Sequence, residues 1–429
     1  MIKHQDVERL LRNHIKRTAD SEYFYKTLNS PDWIDPLHKV GVFNELPEPV
    51  LDGDYISYPS WPEGQFLLRM AQSTIDEATV ELIATIIVNI SDSRNQHAEA
   101  VRVQVATALP AENAVKFVNQ LQRRFSGEDY IGLYWADATV SLALHVAKAG
   151  HVNPALHLLK SLLKVLPDPR SKEEMPLGTP ETRLVIDRWQ YAQLIEENLP
   201  DFVEVCGPFK VLEVVLCPLL DRVGELRIGD YYNYLDHSLI WRPIIQESEI
   251  HDTSPRHLLT TAIVVTAVLA VQRIPKCIYK LVELLERREQ PRTIFIRIVL
   301  HLLTQAPEEG HGLIADRLSS LEIMSDSELW TEYGDLLGRH FPNLSPEQQD
   351  KIVKRILAGP RLEKKESDTQ MSIITDKWTL MRLHMISEHL PHEAARRYRD
   401  LRANYPDLES LRRSFPPRTV ESWTGCVLR

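Results

Sequence analysis

No glycine in this 429-residue chain is followed by lysine, so the phosphate-cradling loop of P-loop enzymes has nowhere to form. No GxGxxG turn follows a strand and no GxSxG elbow occurs, and dinucleotide binding and α/β-hydrolase chemistry therefore lack their usual carriers. Glycine itself is scarce. Its 16 copies fall near half the average share of about 7%, while 27 prolines slightly exceed the average of about 5%. Tight-turned sheets consume glycine, whereas many short helices that begin on proline produce this imbalance.

Cysteine is also sparse, and Cys206, Cys217, Cys277 and Cys426 show no CxxC or other metal spacing. Three of them lie in apolar helical stretches, which predicts buried, reduced thiols and a reducing cytoplasm. The first eleven residues are too polar for a secretory signal, so the sequons at Asn89 and Asn343 read as chance matches. The longest uncharged apolar run, between His257 and Arg273, falls short of the roughly 18 to 20 residues of a membrane span and reads as a buried central helix.

Metal chemistry finds no frame. A zincin helix needs histidine after His392-Glu393-Ala394-Ala395, and the residue there is Arg396. His384 and His389 are five apart on different sides of a helix, and His251-Asp252 has no matching partner set. The adjacent pairs Glu173-Glu174 and Glu196-Glu197 read as solvated faces. No catalytic residue, metal ligand or cofactor is expected.

The formal net charge of -10 repels polyanions, so binding to DNA or RNA requires a local basic stripe. Arg396, Arg397, Arg399, Arg402, Arg412 and Arg413 are the one such concentration. Glu393, Asp400, Asp407 and Glu409 interleave with them, so they read either as salt-bridged helix faces or as an anion-binding ridge.

What the chain does contain is helical period. Val7, Leu10, Leu11 and Ile15 share a face of a first helix over 2–18, and a short one follows near 22–28. Val80, Ile83, Ile87 and Ile90 make one later stripe, and Ala114, Val118, Leu121 and Phe125 another. The clearest hairpin spans 130–166: it turns at Gly150, restarts at an Asn153 cap before Pro154, and buries Ala155, Leu158, Leu159, Leu162 and Leu166. Its length of about 37 residues falls inside the window of roughly 34 to 47 for TPR, HEAT and armadillo repeats. Helices resume at Thr179-Pro180-Glu181, and others are expected at 255–271, 278–285, after Pro291, 371–390 and 392–403. Ser325 with Glu328, and Ser345 with Gln348, form capping-box patterns. No letter pattern recurs from hairpin to hairpin.

Two stretches break the period. Between Pro31 and Ala71, Pro36, Pro47, Pro49, Pro59 and Pro62 disfavour a long helix, and Trp33, Phe43, Tyr58 and Trp61 are too apolar for a solvated linker. This wrap is expected to seal the open end of the first repeats, or else to offer its rings to a ligand. The second island holds Tyr231, Tyr232 and Tyr234, then Trp241-Arg242-Pro243. A tail from 414 carries Trp423 after Pro416-Pro417. The chain therefore divides into N-terminal helices and an extended capping wrap (1–72), helical repeats (73–225), an irregular insertion (226–256), further repeats (257–413) and a tail or linker (414–429). The fold class is all-α, an α-solenoid of HEAT/TPR-like hairpins with two aromatic- and proline-rich islands.

The wrap, the Tyr58-Pro59-Ser60-Trp61-Pro62 element leading into Leu67-Leu68-Arg69-Met70-Ala71, and the Ile240-Trp241-Arg242-Pro243-Ile244 element together resemble HEAT-like regions at the N-terminus of large bacterial multidomain proteins. Several of these resemble phage-defence or stress-response components. The resemblance covers most of the chain, implies no activity, and implies that something follows the tail. The expected function is a cytoplasmic, non-enzymatic scaffold or sensor that binds a protein partner, a trigger or a following effector domain, without a membrane. Candidate partner-binding residues are Trp33, Trp61, Tyr231, Tyr232, Tyr234, Trp241 and Trp423. The alternatives are a nucleic-acid-binding module using the terminal arginines, and an enzyme whose site no local motif betrays.

Overall fold

The computed structural model describes residues 4–15, 17–53, 55–73, 75–125, 127, 130–170, 174, 182–227, 238–245, 254–287, 293–306, 308–360 and 368–413. Helix makes up 77% of the structure. The chain forms two compact units, one of residues 1–229 with 252–262 and one of 230–251 with 263–429.

In the first unit, α1 (His4–His14), α2 (Thr18–Thr27) and α3 (Ile34–Lys39) precede α4 (Pro62–Gln72), α5 (Glu77–Asn89), α6 (Gln96–Ala108), α7 (Ala111–Arg124), α8 (Leu133–Lys148) and α9 (Val152–Leu162). Helices two apart in sequence pack together: α2, α4, α6 and α8 form one row, and α1, α3, α5, α7 and α9 form a second. The stripes read from the sequence line the space between rows, where Ile83, Ile87, Val118, Ala155 and Leu159 are sealed from solvent. After α9 the chain continues through α10 (Arg188–Gln193), α11 (Leu199–Cys206), α12 (Pro208–Val211) and α13 (Cys217–Arg227), with π-helical turns at Leu194–Asn198 and Leu212–Leu216. α8 packs on α11, and α9 packs on the second π turn.

The second unit contains α14 (Ser238–Trp241), α16 (Ile278–Glu286), α17 (Thr293–Thr304), α18 (His311–Ser319), α19 (Leu321–Ser325), α20 (Trp330–His340), α21 (Pro346–Ala358), α22 (Asp368–Met385), α23 (His392–Asn404) and α24 (Leu408–Arg413). α17, α20 and α22 pack in series. The 19-residue α15 (Pro255–Arg273) has residues in both units. Its mean hydropathy is 1.3, enough by length and composition to cross a membrane, so the apolar run is longer than its uncharged core suggested. Of its apolar window 67% is buried within the protein, the packing of a core helix.

Arginine holds the second unit together from inside. Arg297 on α17 pairs with both carboxylate oxygens of Glu332 on α20, at 3.0 and 2.7 Å, and its Nη2 also donates to the Pro243 carbonyl at 3.0 Å. Arg382 on α22 lies fully buried, 3.7 Å from the centroid of the Trp330 ring and 4.5 Å from that of Tyr333, while donating to the Met324 carbonyl at 3.0 Å. Among the described residues no carboxylate pairs with it, and burial pulls its guanidinium down to about 9.

Several sequence expectations need correction. The wrap from Pro31 to Ala71 is not extended throughout, because prolines start helices in it: Pro36 lies in the first turn of α3 and Pro62 opens α4, where a missing N–H costs nothing. The all-α class holds, with two short ribbons beside the helices. β1 (Val50–Asp52) pairs with β2 (Tyr55–Ser57) around Gly53, whose φ of 58° favours glycine, and β3 (Val165–Leu166) pairs with β4 (Arg183–Leu184). Thr179-Pro180-Glu181 lies outside the described residues. The helix there begins at Arg188, under an Asp187 capping box that accepts from Trp189 N at 2.8 Å. α9 starts at Val152, so Asn153 and Pro154 sit inside its first turn rather than at its cap. The Ser325 box does not form, because Asp326 accepts from Glu328 N at 2.8 Å while Ser325 ends α19. The Ser345 and Gln348 box does form, and Gly150 stops α8 with a φ of 96°.

One device recurs in both units. Basic side chains cap the carboxyl ends of neighbouring helices: Arg69 donates to Tyr25 O and Leu28 O, Arg102 to Ile87 O and Ile90 O, His145 to Leu109 O, and His340 to Thr304 O. A carbonyl only accepts, so both histidines carry their proton on Nε2. Both histidine bonds span 36 residues, whereas the arginine bonds span 41 and 44 at Arg69 and 15 and 12 at Arg102.

Candidate functional site

Exposed rings gather along one edge of the first unit, where α4, α6 and α8 of one row begin and where Val185, shortly before α10, accepts from Ile131 N. Tyr58 stands before α4, His97 is the second residue of α6, Tyr134 the second of α8, and Trp189 the second of α10. The Tyr58 and His97 centroids are 5.2 Å apart and those of His97 and Tyr134 5.1 Å apart, the latter edge to face. The hairpin β1–β2 runs directly into Tyr58 and exposes Val50, Leu51, Tyr55 and Ile56; Tyr130 and Leu133 lie beside Tyr134 in sequence. Of the sixteen exposed large hydrophobic residues among those described, nine belong to this edge, so it is a feature and not scatter.

Backbone stitching aligns the helix starts. Asn95, fully buried, caps α6 by accepting from His97 N and Ala98 N at 3.1 Å each, and its amide donates to Pro59 O at 2.8 Å. Gln96 donates to Tyr130 O at 3.1 Å, and Ile131 N donates to Val185 O at 2.7 Å. Gly132 makes the second stitch possible, because a Cβ there would stand 1.9 Å from Gln96 Oε1. The Asp187 cap places Trp189 at the end of the series. Asp187→Ala is expected to lower stability by about 1 kcal/mol in denaturant melts, with the change confined to the midpoint and not the slope.

Beneath the edge lies a buried ion network. Glu99, 1% exposed, accepts from Ser93 N at 2.9 Å and pairs with Arg124 and Arg102. Burial pushes its carboxyl up, against the pull of the two guanidinium groups. Arg124 lies 4.7 Å from the Trp135 centroid and Arg102 5.1 Å from that of Phe117, so the network also supports α8 next to Tyr134. Such a platform is rigid because each carboxylate oxygen is already engaged.

The residues singled out from the sequence fall elsewhere. Trp61 is 3% exposed and offers no ring face; Trp33 is half-buried, its ring edge to face with Phe24 at 5.9 Å. Both belong to the packing of the wrap. Trp241 is half-buried on α14. Tyr231, Tyr232, Tyr234 and Trp423 lie outside the described residues, as do Cys426 and the side chains of Arg412 and Arg413. Three of the four described arginines of α23 have partners. Arg397 pairs with Asp376 on α22, Arg399 turns back to Ala395 O at 3.4 Å, Arg402 caps Pro406 O at 2.8 Å, and Arg396 is exposed. Among the described residues no interleaved carboxylate on α23 pairs with them. Cys206 and Cys217 are buried thiols and Cys277 is half-buried; burial raises Cys206 to about 11.

Three concavities lie among the described residues, and one of about 530 Å³ adjoins the edge, lined by Glu48, Asp92, Ser93, Arg94 and Arg124. Another, of about 810 Å³, lies among α7, α9, β3 and α13, and carries Lys160, Lys164 and Arg222 on its walls, the last paired with Glu225 at 3.1 Å. The third, of about 570 Å³, is lined by His301, Thr304, Gln305, Asp335 and Arg339. His301 is engaged by Gln305 at 3.0 Å, and burial, helped by Arg242, pushes it down. No cluster of three metal-ligating side chains occurs among the described residues. Comparison with protein-family models, with curated proteins and with solved structures found no match.

Proposed function

We propose that this protein is a non-enzymatic helical-repeat scaffold, an α-solenoid of HEAT-like hairpins that captures a protein partner on the aromatic edge. The observation that carries the reading is the concentration of nine exposed large hydrophobic residues on that edge, stitched in place from below. Exposed apolar side chains cost solvation, and a chain that hides Leu, Ile and Val as thoroughly as this one leaves them out where something covers them. The packing of alternate helices into two rows supports the repeat architecture. An acidic molecule in which three of the four described terminal arginines already have partners gives less support to a nucleic-acid module.

The test is a comparison of protein complexes recovered with the wild-type chain and with a Tyr134→Ser, Trp189→Ser double variant. Those two side chains are 62% and 63% exposed, so the variant is expected to melt within about two degrees of wild type. Loss of a defined, stoichiometric partner from the variant, with retention by a Tyr279→Ser control, is the expected result. Partners retained equally by both would place the interface elsewhere and overturn this reading.

A further inference from the structure

The charge around the rings identifies the kind of segment that covers them. Residues 41–68 and 130–147, which supply eight of the nine exposed hydrophobics on the edge, contain Glu45, Glu48, Asp52, Asp54, Glu63 and Asp137 and not one lysine or arginine. Glu45, Glu48, Asp52 and Asp137 are exposed. Arg94 is the nearest basic residue on the adjoining loop, and its backbone N–H donates to Glu48 Oε2 at 3.3 Å. The acidic character ends at Trp189, where Arg183 and Arg188 flank Asp187.

The hairpin adds a backbone feature to the charge. β1 and β2 pair only with each other among the described residues, so each strand keeps one edge of unpaired N–H and C=O groups. Leu51 and Ile56 are cross-strand partners on one face, and Val50 and Tyr55 occupy the other; all four stand in solvent, with Tyr55 82% exposed. An extended chain added along the free edge of β2 pairs its main-chain groups there, and its side chains on the two faces meet Tyr55 and Ile56, with Val50 and Leu51 one strand further. Continuing past Ser57, it reaches the Tyr58, His97 and Tyr134 rings, which present π faces to cations.

We propose that the edge binds an extended segment of a partner protein that alternates basic and apolar side chains, pairing on the β1–β2 ribbon and laying lysines or arginines against the rings and carboxylates. This rests on the scaffold reading above and specifies its partner's chemistry. Phosphate backbones are repelled by the same carboxylates, which separates this site from a nucleic-acid groove.

Fluorescence anisotropy of the full chain with three labelled dodecapeptides tests it: lysine alternating with valine, lysine alternating with serine, and glutamate alternating with valine. Any polycation is attracted to a chain of net charge -10, so the reading depends on the edge-specific part. The lysine–valine peptide is expected to bind at least tenfold more tightly than either other peptide. Tyr55→Ser with Tyr134→Ser is expected to remove most of that advantage, and Asp52→Lys with Glu48→Lys to reverse the preference between lysine–valine and glutamate–valine. Equal binding of the lysine–valine and glutamate–valine peptides overturns the basic segment while leaving edge-dependent partner capture standing. Lysine–valine binding untouched by the edge variants overturns the site itself. Tight binding of a single-stranded oligonucleotide that the tyrosine variant abolishes overturns the chemistry in favour of a nucleic acid.

Discussion

Glu332→Ala is expected to destabilise the second unit by about 3 to 5 kcal/mol, because it leaves the Arg297 guanidinium buried and without its counter-charge. Arg297 is 0% and Glu332 3% exposed, and the two make paired bonds at 3.0 and 2.7 Å. Water cannot take over. The Nη1 of Arg297 already lacks a hydrogen-bond partner, so the group has no slack to lose. Removing both members is a different experiment: Arg297→Met with Glu332→Leu replaces the pair by apolar volume and is expected to cost little, since the desolvation of two ions disappears together with their attraction. The cycle of Arg297→Met, Glu332→Leu and the two together therefore predicts a coupling of several kcal/mol between the two positions. Glu332→Gln keeps one acceptor and should fall between Glu332→Ala and wild type. Urea melts of these five variants decide it, and a Glu332→Ala loss below about 1 kcal/mol would show that the pair is not buried as described. A second consequence follows at Pro243, whose carbonyl accepts from Arg297 Nη2 at 3.0 Å. The Trp241-Arg242-Pro243 stretch is held by that bond and by Arg242 Nη2 to Ile245 O at 2.7 Å, so Arg297→Met should loosen it even where global stability survives.

Helices were legible in this sequence because their apolar spacing is a local property. The stripes through Ile83 and Ile87, through Val118 and Leu121, and through Leu158 and Leu159 all face inward. Failures came where one residue depends on a distant one. Arg102, Arg297 and Arg382 look like solvated-face residues, and each is buried because a carbonyl or carboxylate from another helix awaits its guanidinium. The exposed aromatic edge was hidden for a related reason. Tyr55 and Trp61 lie six residues apart in the same proline-rich stretch and read alike, yet one is 82% and the other 3% exposed. What decides between them is whether a neighbouring element lies over the ring. His97, Tyr134 and Trp189 share a signal that was available, since each is the second residue of its helix, but it becomes visible only once the helix starts are fixed. The carboxylates of the edge were in view throughout as part of the net charge. Their segregation from lysine and arginine over 41–68 gains meaning only when 130–147 is brought alongside.

Gly64→Ala is expected to lose about 3 kcal/mol, although the same change in most helices gains about 1 kcal/mol. Gly64 is the third residue of α4, and its φ lies outside the glycine-favouring region, so backbone preference alone recommends alanine. Space forbids it. A Cβ at this position would stand 2.0 Å from Trp61 Cε3 and 2.4 Å from both Cδ2 and Cζ3 of the same ring. The indole lies flat against the helix start and is 3% exposed, so it has nowhere to retreat without leaving the core. Either the helix shifts, which overpacking makes costly, or the ring is expelled and its burial is lost. The wrap would come loose with it, because Trp61 joins the hairpin and Tyr58 to the first turn of α4. The sign of the effect therefore depends on the ring. In a Trp61→Ala background the obstacle is gone, and Gly64→Ala is expected to stabilise by about 1 kcal/mol relative to that background. Thermal or urea unfolding of the four chains measures this inversion. Acrylamide quenching provides a second reading, with one additional accessible indole expected in Gly64→Ala. Loss of the same size in both backgrounds would mean that the glycine serves the backbone and that Trp61 does not pack against it.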